Sequence, residues 1–258
     1  MHTLSTYAAN AAVAIRTSLM DRTNFALQAG GMVLNDVFFL ALWYMFFAGF
    51  RQVGGWGLHD VALLLGITMC VVAISGVFFG GYRDMAATIL RGEIDALLTQ
   101  PKLVLPRLLA RESIATAWGD LVMGIWMLFT FAALSWRDIP LVLIGIACGT
   151  AVYIASAVVY ASLAFWFAGA RSFARDLTDF MLLFSSYPGS IYTGATKVVA
   201  YTFLPAGFVV LTPVAFLRAP SWQMLAILAA SALGYAAIAA AIFRLGMQRY
   251  RQGKVAVG

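Results

Sequence analysis

The chain has 258 residues, of which 62% are hydrophobic and only 11% charged, with a formal net charge of +6. Soluble domains carry about 25% charged residues, so a chain of mean hydropathy +0.88 lacks the polar surface of a water-soluble globule. Its lysines and arginines sit in the gaps between apolar runs, which is membrane topology and argues against a nucleic-acid-binding face.

Long continuous apolar runs, rather than alternating segments of about ten residues, point to helices and away from a closed barrel. The expected fold class is therefore all-α, a polytopic membrane helical bundle in a single domain. Residues 1–24 come first. Leu4, Tyr7, Ala8, Ala11, Ala12, Ile15 and Leu19 recur at helical spacing on one face, with Ser5, Thr6, Asn10, Arg16 and Thr17 largely elsewhere. The segment is too polar to span, so it reads as an amphipathic helix on the membrane surface; a frayed terminus is the bland alternative. A secretory signal is not expected, because the first long apolar run begins too late and lacks a small-residue cleavage site.

A spanning helix needs about twenty apolar residues. Candidates are Phe25–Phe47, Val61–Phe79, Ile114–Leu134, Leu141–Phe167 and Trp222–Phe243, with one further crossing in Leu177–Leu217. That makes six spans over 25–245, followed by a tail at 246–258. Pro188, Pro205 and Pro213 interrupt the Leu177–Leu217 stretch, as do Gly189, Gly194 and Lys197. The simplest reading there is a helix near Leu177–Ser186, followed by short re-entrant outer helices before span six. Such irregular backbone is tolerated at membrane depth only where protein or a water-filled cavity surrounds it. Of the 17 Lys and Arg residues, 13 fall before span one, between spans two and three, between four and five, and after six. The other 4 fall in the remaining loops. The positive-inside rule then puts both termini in the cytoplasm. Cys70 and Cys148 lie inside apolar runs without partners at metal-ligand spacing, and read as small buried hydrophobes.

No G-x-x-x-x-G-K-[ST] phosphate loop occurs, so ATP hydrolysis by that route is not expected of this chain. Neither a G-x-S-x-G elbow nor an H-E-x-x-H is present, and His2 and His59 stand apart from any Cys or His cluster. An enzyme is not the expectation, and no cofactor or metal is expected on this chain.

The one sizeable inner loop, Gly80–Arg111, holds two short helical patterns. Asp84 to Leu90 opens with a carboxylate and closes at Gly92; Glu93 to Leu98 opens again with an acid and stops before Pro101. Ile89, Leu90, Ile94, Leu97 and Leu98 need burial. Two readings stand: a coupling helix seated in a groove of a cytoplasmic subunit, or a loop folded back on its own bundle.

The run Ile89-Leu90-Arg91-Gly92-Glu93-Ile94-Asp95-Ala96-Leu97-Leu98-Thr99-Gln100-Pro101 resembles a signature of type-2 ABC exporter permeases, I-x-x-G-x-[IL]-D-x-x-L-x-x-P between spans two and three. Ile89, Gly92, Ile94, Asp95, Leu98 and Pro101 match it. Phe184 to Tyr192, followed by Leu204-Pro205 and Thr212-Pro213, looks like the end of span five in that class, with Tyr187-Pro188 where the class has Ser-Pro. The resemblance covers the layout of nearly the whole chain. It implies a permease that pairs with itself or a sister permease, two ATP-binding subunits gripping the inner loops, and outward release of a hydrophobic or amphipathic substrate. ATP and Mg would belong to the partner. Ile89, Leu90, Gly92, Glu93, Ile94, Asp95, Leu98 and Pro101 would form the contact with that subunit, and the setting would be a bacterial inner membrane.

Two acids fall inside expected spans. Asp36, beside Asn35, lies near the centre of span one and Asp120 on span three, both roughly 14–20 Å from the inner end at 1.5 Å per residue. An acid at mid-helix costs about 2.5–3.5 kcal/mol to insert, and no Lys or Arg occupies a span centre. They are candidates for a substrate pathway favouring cations, or for acids hydrogen-bonded to polar neighbours. Arg175 and Asp179, four apart, are placed to pair. Gly76/Gly80 and Gly145/Gly149 form G-x-x-x-G, which permits close helix packing. A proton-coupled carrier using the two acids, or a membrane enzyme or assembly factor, are the rival functions.

Overall fold

The computed structural model describes residues 2–52, 55–99, 103–132 and 134–253, the side chains of 2–5 excepted. Among them every regular element is helical. α1 (His2–Ser18) leads into α2 (Arg22–Gly49) through Asp21, whose carboxylate accepts from the Asn24 backbone N–H at 3.0 Å as an N-cap. α3 (Leu58–Phe79) runs into a region of short elements: a tight turn at Gly80–Tyr82, α4 (Met85–Leu90), α5 (Asp95–Leu98) and α6 (Val104–Leu109). α7 (Thr116–Thr130), α8 (Ile139–Ser162) and α9 (Ala170–Ser185) follow. The other end carries α10 (Gly194–Tyr201), a π turn at Gly207–Leu211 and α11 (Thr212–Arg218), before α12 (Trp222–Arg251) returns.

α3 is apolar all round, and a helix of that kind belongs in the middle. Leu64 and Ile67 are fully buried, and the helix packs along α7 and α8. α2 and α12 lie outermost, exposing Leu34, Phe38, Leu42 and Met45 on one and Ile227, Leu233 and Ile238 on the other. Four helical stretches are long and apolar enough to cross a membrane: Arg22–Gly49, Leu58–Leu90, Trp136–Phe165 and Trp222–Arg251. These coincide with four of the six expected spans. α7 has 15 residues and α9 has 16, about 22–24 Å of helix at 1.5 Å per residue, shorter than a hydrocarbon core of about 30 Å.

The expected boundaries shift in two places. α9 begins at Ala170 rather than near Leu177, because Ala170, Ala174, Leu177 and Met181 form one buried seam that outweighs the charges of Arg171, Arg175 and Asp176. α12 runs on to Arg251, so 246–251, expected in the tail, continues the last helix; 254–258 lie outside the described residues. The N-terminal helix is present, rotated from the expected face. Ala11 and Ala14 are buried and the Tyr7 hydroxyl donates to the Phe78 carbonyl at 2.7 Å, whereas Ala8, Ala12 and Leu19 are exposed.

Short helices at one end of the bundle replace the second half of the Pro-broken stretch. Tyr192 stacks on Phe184 with centroids 5.2 Å apart and donates to its carbonyl at 2.7 Å. Thr68 on α3 donates to the Ser185 carbonyl at 3.0 Å, satisfying a backbone group left open by the end of α9. Arg218 pairs with Asp60 at 2.6 Å and lies over the Trp56 ring at 4.1 Å.

The opposite end collects α1, the α4–α6 region, the start of α9 and the finish of α12. It therefore gathers the segments that carry most of the Lys and Arg residues.

Candidate functional site

The α4–α6 region is folded onto its own bundle and exposes a narrow edge. Ile89 and Ile94, both expected to face a partner, are 1% and 0% exposed. They anchor the loop in the core, where Met85 and Ala86 are buried beside them. Leu90, Leu97 and Leu98 are half-buried against the same core. The exposed edge consists of Arg91, Asp95, Ala96 and Thr99, with Gly92 and Glu93 partly open. Pro101 lies outside the described residues.

Charge holds the edge in one shape. Asp84 makes no cap bond; it pairs instead with Arg91 at 2.7 Å. Arg91 also reaches Glu93 at 2.6 Å, and Glu93 takes Arg111, just past the end of α6, at 2.9 Å. These neighbours, Arg91 foremost and then Arg111, hold the Glu93 carboxyl below its ordinary range. Gly92 turns the chain between the two short helices with φ +71°, a left-handed conformation that glycine takes without a Cβ penalty. Arg107 adds a bond to the Leu97 carbonyl at 3.0 Å. A cleft of about 830 Å³ opens beside the edge, between α1 and the loop, lined among others by Asn10, Thr17, Glu93, Ala96, Arg107 and Arg111.

The sequence gives no sign of the tie between this edge and the last helix. Tyr250, near the end of α12, donates to Asp95 Oδ1 at 2.8 Å, and its hydroxyl lies 3.3 Å from the Gly92 carbonyl. Its ring meets Phe165 edge-on at 6.1 Å, and Arg249 donates to the Phe165 carbonyl at 3.1 Å. Displacement of α12 thus reaches Asp95 through one hydrogen bond.

Asp36 and Asp120 come together in the structure. Both are buried, at 3% and 6% exposure, and their side chains face each other between α2 and α7, with Asn35 beside Asp36. Gly119 makes this approach possible: a Cβ there would lie 2.8 Å from that of Met32 and press on the α2 backbone. Asp36 Oδ2 has no hydrogen-bond partner among the described residues. The Arg83 charge acts on Asp120 from the end of α3. Neither acid lines any of the four cavities described. The expected pair of Arg175 with Asp179 does not form among the described ion pairs. The expected glycine packing does occur. A Cβ on Gly76 would overlap that of Ala117 on α7, and one on Gly149 would overlap the Val209 carbonyl.

Four long apolar helices around a nearly uncharged core define an integral membrane protein. Its family follows from the sequence as a whole: the family described as ABC-2 family transporter protein matches residues 33–253, and the chain belongs to it. It is accordingly a permease subunit of an ABC transporter, a class that associates with an ATP-binding subunit. No curated protein and no solved structure matches the chain.

Proposed function

We propose that the chain is the permease of an exporter in a bacterial inner membrane, moving a hydrophobic or amphipathic substrate outward on ATP hydrolysed by separate subunits. Six crossings complete the bundle, with the shorter α7 and α9 as the third and fifth and the α10–α11 region dipping in from outside. Both termini are cytoplasmic. Two permeases, identical or sister, pair through surfaces this chain leaves exposed. Hydrolysis belongs wholly to the partner, because no phosphate-loop motif occurs in this sequence.

The observation that carries the reading is the rigid, charged edge of the α4–α5 region, which stands at the basic end of the bundle and is tied to α12 by Tyr250. A loop whose only task was to close on its own bundle would not need the braced ridge of Arg91, Glu93 and Arg111. Family membership favours this permease over the carrier and enzyme alternatives.

Purification from membranes in mild detergent tests it. An ATP-binding protein accompanies the chain, and a chain that comes away alone contradicts the reading. Orientation is read by labelling: Gln252→Cys resists an impermeant thiol reagent in intact cells and Gln52→Cys reacts. The reverse pattern would place the α4–α5 edge on the wrong face.

A further inference from the structure

α9 presents three different faces. Ala170, Ala174, Leu177 and Met181 are buried against the bundle, while Phe173, Phe180 and Leu183 are exposed apolar residues on another side. The third face carries Arg171, Arg175, Thr178 and Asp179, exposed except for the half-buried Thr178. It closes a cavity of about 260 Å³ whose other walls include Tyr82, Arg83 and Tyr153.

Three guanidiniums therefore meet one carboxylate in a single cavity, and none of the three is in an ion pair among those described. Among the described residues Arg83 donates only to the neighbouring Tyr82 hydroxyl, at 3.4 Å. The Tyr82 and Tyr153 hydroxyls lie 3.4 Å apart with their rings edge to face at 5.8 Å, which holds two further polar groups in the wall.

The placement of the arginines is itself unfavourable. Arg171 stands in the first turn of α9, where the helix dipole is positive, and that turn has no acidic residue. Helices favour acids there and bases at the other end. Three cations against the single Asp179 carboxylate, one of them in the positive first turn of α9, leave a net positive local field that an anion would relieve. Guanidinium donors suit the oxygens of a phosphate group in bidentate geometry.

We infer that this cavity, between the end of α3, α8 and the start of α9, binds a phosphate-bearing anion at the inner end of the bundle. Two sources share that chemistry: the headgroup of an anionic phospholipid, and a soluble phosphate. The inference goes beyond the proposed transport function and does not depend on its direction.

The full chain, purified in mild detergent with its associated subunits, is exposed to dioleoyl phosphatidylglycerol or dioleoyl phosphatidylcholine, and bound lipid is counted by native mass spectrometry. Inorganic phosphate is then added as a competitor, and phosphate binding is also measured without added lipid. Charge-assisted hydrogen bonds of this kind contribute about a factor of ten or more each. The wild type should therefore hold phosphatidylglycerol, inorganic phosphate, or both, with at least about tenfold preference over the Arg171→Gln/Arg175→Gln variant. Phosphatidylglycerol retained in the presence of inorganic phosphate identifies the lipid as the occupant. Its displacement by phosphate, or phosphate binding alone, identifies the soluble anion. Arg171→Lys/Arg175→Lys keeps most of the binding, and Arg137→Gln, exposed at the far end of α8 and outside the cavity, leaves it unchanged. Thr178→Asp places a carboxylate in the cavity without removing any arginine and should give the same loss. Equal binding by the wild type, the Gln variant and Thr178→Asp overturns the inference, as does wild-type binding of neither phosphatidylglycerol nor inorganic phosphate.

Discussion

Tyr250→Phe should lower transport by about tenfold while ATP hydrolysis by the assembled complex continues, a coupling loss within the usual range for linked sites. The substitution keeps the ring against Phe165 and removes only the hydroxyl, and with it the bond to Asp95 at 2.8 Å. Asp95 is exposed at the edge proposed to meet the ATP-binding subunit, and Tyr250 belongs to the last long helix. A push on the edge therefore reaches α12 through that hydrogen bond. Asp95→Ala should cost at least as much, since it removes both the bond and a surface charge. The double variant should lose no more than Asp95→Ala alone, because the two residues act as one unit. The measurement is transport and ATPase activity side by side in reconstituted vesicles. Parallel loss of both activities would indicate a folding role, and no loss of either would remove Tyr250 from the coupling path.

Gly81→Val should abolish accumulation of the folded protein. A Cβ at Gly81 would overlap the backbone carbonyl of Leu108 and press on that of Leu109 at 3.2 Å. Backbone cannot rotate aside as a side chain can. Relief requires lifting α6, which is held down by Leu108 at 2% exposure and Leu109 at 8%. Losses from such clashes belong to the exceptional class above about 4 kcal/mol, comparable with the whole stability of a small domain. Ser172→Val, at an exposed position on α9, is the matching control and should be tolerated. The readout is the yield of monodisperse protein and its thermal midpoint. Gly81→Val protein that melts like the wild type would contradict the placement of α6 against the Gly80–Tyr82 turn.

The all-helical membrane class and the four long apolar helices were legible because apolar runs report directly on what the bilayer tolerates. The expected spans over 61–79 and 141–167 overlap α3 and α8, with ends that differ by up to five residues. α9 was less legible, since Arg171, Arg175 and Asp176 made its first turns look like a loop, and only the tertiary seam of Ala170, Ala174, Leu177 and Met181 makes them helical. The resemblance around Gly92 and Asp95 drew attention to the α4–α5 edge. It did not separate residues that hold the loop from residues that present it: Ile89 and Ile94 match the pattern, yet they are buried. That division depends on which way each turn faces, and a short helix has too little periodicity to show it.

Contacts between distant segments left no local trace. The tie between Tyr250 and Asp95 spans 155 positions. Arg83 and Arg171 line one cavity only because the end of α3 and the start of α9 lie at the same level. A basic first turn without an acid, as at Arg171, was the one local signal available for the arginine cavity. The meeting of Asp36 and Asp120 follows from equal depth, which the sequence supplied, and from close α2–α7 packing at Gly119, which it did not.

The central claim is that the edge around Asp95 is where the ATP-binding subunit takes hold. A photo-crosslinking amino acid in place of Ala96, exposed and flanked by that edge, tests it in intact membranes, with the adducts identified by mass spectrometry. The account predicts a crosslink to an ATP-binding protein, weakened when Asp95→Ala is combined with it. Adducts confined to lipid or to the chain's own α1 and α6 would contradict it.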